Sequence, residues 1–335
     1  MKAWVLEGFG LDNLKMVDVP MREVGPHDVV VSVKAVSLNY RDKLLVDGLY
    51  NPDLRFPITQ VADTAGEVVD AGAEVSRFRR GDRVITNYAT RWIDGPTRVD
   101  DVVHTLGNTI PGGLAEYLVI NEEVLVHAPE YLTHEEASTL PVAALTAWHA
   151  LTVKRQLAPG ETVLVQGTGG VSIFGLQLAS ALGAKVIATS SSDDKLQRAR
   201  RLGAHQTINY VRTPEWHTEA LRLTSQQGVD NILEVAAGKT LRQSLEAIKP
   251  GGQISVIGVL DGFVSEIPIF TLLQKQASIV GMVTGSRRMF EEMNAALANF
   301  QIHPVIDAVY WFEDARQAYD HLYRGAFGKI VIKLR

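Results

Sequence analysis

The sequence predicts an α/β protein in two parts, a mostly β domain and a doubly wound parallel sheet flanked by helices. Three observations carry this expectation. The chain has 335 residues, more than one core usually serves, because single hydrophobic cores stop growing at roughly 250 to 300 residues. Its first third consists of short β-type runs punctuated by Gly and Pro. From about residue 160 candidate strands alternate with helical segments, the grammar of parallel strands joined by crossovers.

In chain order, Met1 leads straight into Ala3-Trp-Val-Leu6, which reads as a first strand and lacks the basic start and long apolar core of a secretion signal. Val29-Val-Val-Ser-Val-Lys-Ala-Val36 and Gly66-Glu-Val-Val-Asp-Ala71 continue the β pattern, and residues 1–126 are assigned to the first domain. Residues 127–283 are assigned to the second, with strands expected at 163–166, 185–189, 206–209, 230–235, 253–258 and 277–283. A helical pattern from Met289 to Phe300, another from Glu313 to Tyr323 and a strand from Gly328 to Leu334 follow. Six strands already fill the parallel sheet, so residues 284–335 are expected to return to the first domain.

Composition narrows the function. The chain is 46% apolar and 21% charged, ordinary for a globular protein and unlike a disordered one. A formal charge of −5, with no Lys/Arg cluster interleaved with aromatics, argues against nucleic acid as a partner. No stretch approaches the roughly 18 apolar residues of a membrane span, so a cytoplasmic protein is expected. There is no cysteine, which excludes disulfides, thiolate catalysis and every cysteine-containing zinc site; the nine histidines are scattered and none forms H-E-x-x-H.

The most informative segment is Val163-Leu-Val-Gln-Gly-Thr-Gly-Gly-Val-Ser172. A buried-type strand breaks into glycines and continues with Val171, Phe174, Leu178 and Leu182 at helical spacing. Gly167 and Gly169 permit a tight turn and a close backbone approach to a pyrophosphate, whose charge meets the N-terminus of the following helix. Gly167, Thr168, Gly169, Gly170 and Val171 are therefore candidate dinucleotide-binding residues. Ser172 occupies the place of the usual third glycine, a small residue that still permits close packing of helix on sheet.

The second strand ends in Ser190-Ser-Ser192, where an NAD enzyme places Asp or Glu to hold the ribose hydroxyls. Serine hydroxyls receive a 2′-phosphate that a carboxylate would repel, and Lys195 adds positive charge one turn later. Ser190, Ser191 and Lys195 thus point to NADP(H). Ser192 or Asp193 also suits the cap of the next helix, and a rival reading makes Asp193 or Asp194 the ribose ligand.

With these residues assembled, the chain resembles the medium-chain dehydrogenase/reductase superfamily, within it the zinc-free quinone oxidoreductase-like branch. The resemblance is carried by Ser37-Leu-Asn-Tyr-Arg-Asp42, Asp63-Thr-Ala-Gly-Glu-Val68, Gly81-Asp-Arg-Val84, Gly112-Gly-Leu-Ala-Glu-Tyr117, Leu140-Pro-Val-Ala-Ala-Leu-Thr-Ala-Trp148, the glycine turn, Ala199-Arg-Arg-Leu-Gly-Ala204 and Gly328-Lys-Ile-Val331. It implies a GroES-like catalytic domain, a Rossmann domain, a cleft between them and a homodimer. Where zinc-dependent members hold catalytic metal, this chain has Asn39, Ala62 and Val142, whose side chains cannot build a tetrahedral zinc site; no metal site is expected.

Without a metal to stabilise an alkoxide, reduction of an already activated acceptor is the expected chemistry, driven by positioning and hydrogen-bond donors. The resemblance places Asn39 and Thr146 near the nicotinamide, and the Asn39 amide is suited to donate to a carbonyl oxygen. Tyr50 matches an active-site tyrosine, Asp63 stands where zinc members carry an acid, expected here to pair with an arginine, and Lys329 resembles a lysine on the cofactor side. Tyr210, at the end of the third strand, is a candidate neighbour of the 2′-phosphate or adenine, and Gly258 and Val259 fall outside the carboxyl end of the fifth strand, where parallel-sheet ligands bind. Arg287 is a candidate partner for cofactor phosphate.

The expectation is an NADPH-dependent, zinc-independent oxidoreductase acting on a small quinone, enone or related carbonyl. A zinc-free alcohol or aldehyde oxidoreductase and a noncatalytic NADPH-binding protein are the alternatives.

Overall fold

The longest β-branched run of the first domain, Val29 to Val36, becomes the spine of a large sheet in the computed structural model, which describes all 335 residues. Two compact units emerge, one of Met1–Leu145 with Thr284–Arg335, the other of Thr146–Val283.

The first unit contains β1 (Lys2–Leu6), β2 (Leu14–Asp18), β3 (Asp28–Leu38), β4 (Ile58–Thr59), β5 (Asp63–Ala71), β6 (Arg83–Thr86), β7 (Tyr117–Asn121) and β8 (Leu125–His127). β1, flanked by β2 and β4, forms a small antiparallel sheet. β3 pairs antiparallel with both β5 and β7. The alternation of β3 buries Val29, Val31 and Val33 in a core shared with Leu45, Trp92, Leu114 and Tyr319, as period-two side-chain direction requires.

The second unit holds β9 (Thr162–Val165), β10 (Lys185–Ser190), β11 (Gln206–Asn209), β12 (Val229–Glu234), β13 (Ile248–Val256) and β14 (Ser278–Gly281). All its pairings are parallel, in the order β11-β10-β9-β12-β13-β14. The order reverses beside β9, so the strand entering the glycine turn lies at the switch point, where ligands of such sheets bind. Ile187, Leu164, Ile232 and Ile254 lie in register across four strands. Trp216, Leu241 and Leu245 from neighbouring helices bury them.

The chain ends with β15 (Ile306–Trp311) and β16 (Lys329–Lys333), and β16 pairs antiparallel with β3 of the first unit. One boundary differs from the expectation. The first unit continues past residue 126 to Leu145, because the helix His134–Ala137 packs on β3 and β5 and Ser37 Oγ lies 3.0 Å from the Ser138 carbonyl. The break in composition near 126 marks a change from strand to helix within one core.

Candidate active site

The turn after β9 is built as its glycines suggest. Gly167 has φ +68, a backbone region in which side chains are strained. No atom lies within 4 Å of where a Cβ would stand on Gly167 or on Gly169. The two glycines therefore leave an open backbone cradle at the start of the helix Gly170–Ala181, with the geometry that fits a pyrophosphate at a helix N-terminus. The Gly167 amide donates to Thr189 Oγ1 at 3.2 Å, tying the turn to the end of β10.

Ser172 is buried at the start of the helix. Its buried hydroxyl donates to the Gln166 carbonyl at 2.6 Å and closes the turn onto β9. The close approach of helix to sheet occurs one helical turn later, at Gly175, where a Cβ would stand 2.3 Å from Leu233 Cδ1.

At the ends of β10 and β11 the sequence-predicted residues gather on adjacent strands. Ser190 is buried, accepts a hydrogen bond from the Ser192 amide at 3.3 Å and, through its carbonyl, one from the Tyr210 amide at 3.1 Å. Ser191 is exposed, Lys195 half-buried, and Tyr210 is 41% exposed. Ser192 caps the helix Asp193–Arg201, its Oγ accepting from the Lys195 amide. Asp193 is committed elsewhere: Asn209 Nδ2 donates to it at 2.8 Å and Arg212 pairs with it. A carboxylate already held by an amide and a guanidinium is a poor ribose ligand, which weakens the rival reading.

A buried network that the sequence did not disclose supports this end of the sheet. Glu234, the last residue of β12 and fully buried, accepts from Gln166 Nε2 at 2.7 Å, Thr240 Oγ1 at 2.8 Å and the Ala237 amide at 2.9 Å. Ser244 Oγ also donates to it. Both carboxylate oxygens are thus satisfied, the condition under which a buried acid is tolerated. Gln166 immediately precedes the glycine turn, so Glu234 joins the cradle to the loop after β12. Beside that loop, Gly258 approaches the Val235 carbonyl so closely that a Cβ would lie 2.3 Å from it; Val259 follows, half-buried.

In the first unit three strand ends converge. Ser37 near the end of β3 lies in register with Asp63 at the start of β5 and with Val331 near the start of β16. Asn39, Asp63 and Lys329 therefore meet. Lys329 Nζ, 2% exposed, donates to Asn39 Oδ1 at 2.7 Å and to Asp63 Oδ2 at 3.0 Å, and Ser37 Oγ donates to the same Asp63 oxygen at 2.9 Å. Asp63 thus has a lysine partner where an arginine was expected, and the Lys329 ammonium is engaged by protein groups. Two buried atoms of this cluster, Asn39 Nδ2 and Asp63 Oδ1, have no hydrogen-bond partner.

The cluster extends along the helix Tyr40–Val46. The Asn39 backbone N–H donates to Asp42 Oδ2 at 2.8 Å, and Arg41, also buried, donates to Asp42 Oδ1 at 2.9 Å and to the Leu106 carbonyl at 2.8 Å. The Arg41 guanidinium lies 5.5 Å from the Tyr50 ring centroid and 4.9 Å from that of Tyr88, within cation–π range. Burial opposes its charge, but Tyr88, Asp42 and Tyr50 hold its pKa above the ordinary value. Packing about the Tyr50 hydroxyl and the neighbouring Tyr88 phenol push the Tyr50 pKa up although Arg41 opposes them, so Tyr50 stays a neutral donor across the physiological range. Arg41, Asp42 and Tyr88 were missed as site residues; the motif Ser37-Leu-Asn-Tyr-Arg-Asp42 held the first two, and Tyr88 carried no local signal.

Two further predicted residues sit on other helices. Arg287 begins the helix Arg287–Phe300 and pairs with Glu123 and, at 3.6 Å, Glu291. Its charge is paired with protein carboxylates in this structure. Thr146 is buried on the short helix Leu145–Trp148 at the start of the second unit.

Zinc does not fit. Ala62 lies in the apolar core of the first unit and Val142 packs against it. No three His, Cys, Asp or Glu side chains gather anywhere to hold a metal, so Asn39 has no companion ligands. No helix is long and apolar enough to cross a membrane.

Two family models match: residues 25–130 match an alcohol dehydrogenase GroES-like domain and residues 170–299 a zinc-binding dehydrogenase. The chain is 42% identical to a zinc-type alcohol dehydrogenase-like protein of Schizosaccharomyces pombe, covering 97% of this chain and 96% of the relative. It is 30% identical to quinone oxidoreductase-like protein 2 of Bos taurus, covering 96% and 89%. Among solved structures, a putative alcohol dehydrogenase from Sinorhizobium meliloti 1021 is 46% identical with a TM-score of 0.94, covering 99% of this chain and 98% of that one.

Proposed function

The chain belongs to the medium-chain dehydrogenase/reductase superfamily and is an oxidoreductase, and we propose that it is an NADPH-dependent, zinc-independent reductase of quinones, enones or related activated carbonyls. The relatives' names favour an enzyme over the noncatalytic alternative. The observation that carries the reading is the buried Asn39 Nδ2, a hydrogen-bond donor without a protein acceptor. Leaving such a donor unpaired costs about 1–3 kcal/mol, and a carbonyl oxygen supplies the acceptor it lacks.

A dihydronicotinamide coenzyme, when bound, would supply a hydride to the electron-poor carbon of the acceptor. Asn39 Nδ2 holds the acceptor oxygen on which negative charge develops, the kind of preorganised donor that stabilises such charge. Tyr50, kept neutral beside Tyr88 and Arg41, retains a proton at its phenol oxygen and donates a second hydrogen bond. The donor set lacks zinc ligands, which supports an acceptor whose carbon is already activated.

For the coenzyme, Gly167, Thr168, Gly169, Gly170 and Val171 would hold the pyrophosphate, and Gly258 and Val259 border the same end of the sheet. Ser190, Ser191, Lys195 and Tyr210 would hold the adenosine end, and Thr146 would serve the nicotinamide. The commitment of Asp193 to Asn209 and Arg212 supports a 2′-phosphate over a free ribose. A second reading, a zinc-free alcohol or aldehyde oxidoreductase with the same coenzyme, is favoured by the names of the S. pombe and S. meliloti relatives. A homodimer is proposed in either case.

Steady-state NADPH consumption with a panel of p-quinones, α,β-unsaturated ketones, aldehydes and alcohols, with and without EDTA, tests this. Turnover of quinones or enones that EDTA leaves unchanged is expected. Activity confined to alcohols and aldehydes would move the assignment to the second reading, and stoichiometric zinc with loss on chelation would refute both.

A further inference from the structure

We propose that Lys329 is a positioning residue that decides which end of the Asn39 amide faces the acceptor. The inference rests on the carbonyl-reduction reading above. An asparagine side chain presents a carbonyl oxygen at one end and an NH₂ group at the other, and its orientation is set by its neighbours. A lysine ammonium has three donors and no acceptor. With Nζ 2.7 Å from the Asn39 amide, only the carbonyl end can face it, so Nδ2 must turn the other way. The lysine is itself held by Asp63 at 3.0 Å, and Asp63 by Ser37 at 2.9 Å, so the orientation is anchored in three paired strands.

The alternative orientation is close at hand. Without the ammonium, the buried Asp63 carboxylate loses its cation and is left seeking donors, and one Asp63 oxygen is already unpartnered. The Asn39 NH₂ group is the nearby donor able to turn to it, since Asn39 and Asp63 now share the same ammonium. The amide would then present an oxygen to the acceptor's oxygen, two lone-pair groups facing each other. Lys329 thus acts through Asn39, as a device that turns an ambivalent side chain into a fixed donor.

A kinetic double-mutant cycle tests this on the full-length protein, with NADPH and a p-quinone as the probes. Asn39→Ala is expected to lower kcat/KM roughly 100-fold, the usual cost of a lost charge-stabilising donor. Lys329→Met is expected to approach that loss, while adding no more than about threefold in the Asn39→Ala background, because residues that act as one unit are not additive. Lys329→Arg, still donor-only, is expected to stay within about fivefold of wild type. The NADPH dissociation constant, from fluorescence titration, should be unmoved. Should Lys329→Met fail to fold, the uncharged, donor-free pair Lys329→Met/Asp63→Leu replaces it, and with no donor left to orient the amide a severalfold loss in kcat/KM is expected. Multiplicative losses in the cycle, wild-type kcat/KM in the uncharged pair, or a loss confined to NADPH binding would overturn the positioning role alone. An Asn39→Ala protein as active as wild type on quinones would instead overturn the carbonyl reading on which it rests.

Discussion

The phenol oxygens of Tyr50 and Tyr88 lie 2.9 Å apart beneath one guanidinium, that of Arg41. One phenol must donate to the other, and Arg41 stabilises the electron-rich faces of both rings. Tyr50 remains 43% exposed, so part of its ring faces outward while its hydroxyl is engaged.

The raised Tyr50 pKa gives a pH prediction with a definite sign. The neutral phenol is favoured in the fold, so its contribution is fully present below about pH 10, the ordinary tyrosine value, and declines only as pH rises through the elevated value. Tyr50→Phe should lower kcat/KM about tenfold, the worth of one hydrogen bond, by the same factor at every pH from 6 to 9. A loss that appears only on one side of a titration near neutrality would show that Tyr50 titrates there.

Gly175→Ala should destabilise the second unit by about 1–3 kcal/mol, the cost of overpacking a filled core, because its Cβ would meet Leu233 Cδ1 at 2.3 Å. Thermal melting should show a lower Tm, and the losses of Gly175→Ala and Leu233→Ala should combine to less than their sum. Strict additivity would place the close contact elsewhere.

Lys195→Ala should weaken NADPH binding about tenfold, equivalent to about 1.4 kcal/mol, and leave NADH binding within about twofold. Raising the salt concentration should narrow the difference in the wild type, since the lysine is only half-buried. Equal effects on both coenzymes would remove Lys195 from the 2′-phosphate.

The proposed homodimer is predicted to use the edge of the second unit's sheet, where β14 has a neighbour on one side only. Phe270 and Leu273, on the helix Ile269–Lys275 that packs on β13, the strand paired with β14, are 70% and 67% exposed, and Phe263 is 63% exposed; an unpaired edge together with exposed apolar side chains marks an interaction surface. Light scattering should give twice the chain mass, and Phe270→Glu/Leu273→Glu should give a monomer that melts at a lower temperature. A wild-type monomer would refute the assembly, and a dimer that survives both charges would refute this surface.

The sequence alone determined the parallel sheet and its glycine turn. Val163 to Val165, Gly167 and Gly169 act through backbone conformation and local periodicity, which depend on neighbours in the chain. Ser192 was legible for the same reason, because capping is settled within one turn of helix. The absence of zinc ligands needed only residue chemistry.

Tertiary structure alone decided how charges and small residues are used. Nothing near Lys329 in sequence says that its ammonium faces Asn39, 290 positions away, and nothing near Arg287 says that it pairs with Glu123. Gly175 is an ordinary helical glycine until Leu233 packs over it. The first domain's extension to Leu145 was hidden likewise, since composition changes where strands give way to helix but a core ends where packing ends. Hydrogen bonds and ion pairs between distant strands are set by register, and register is a property of the folded chain.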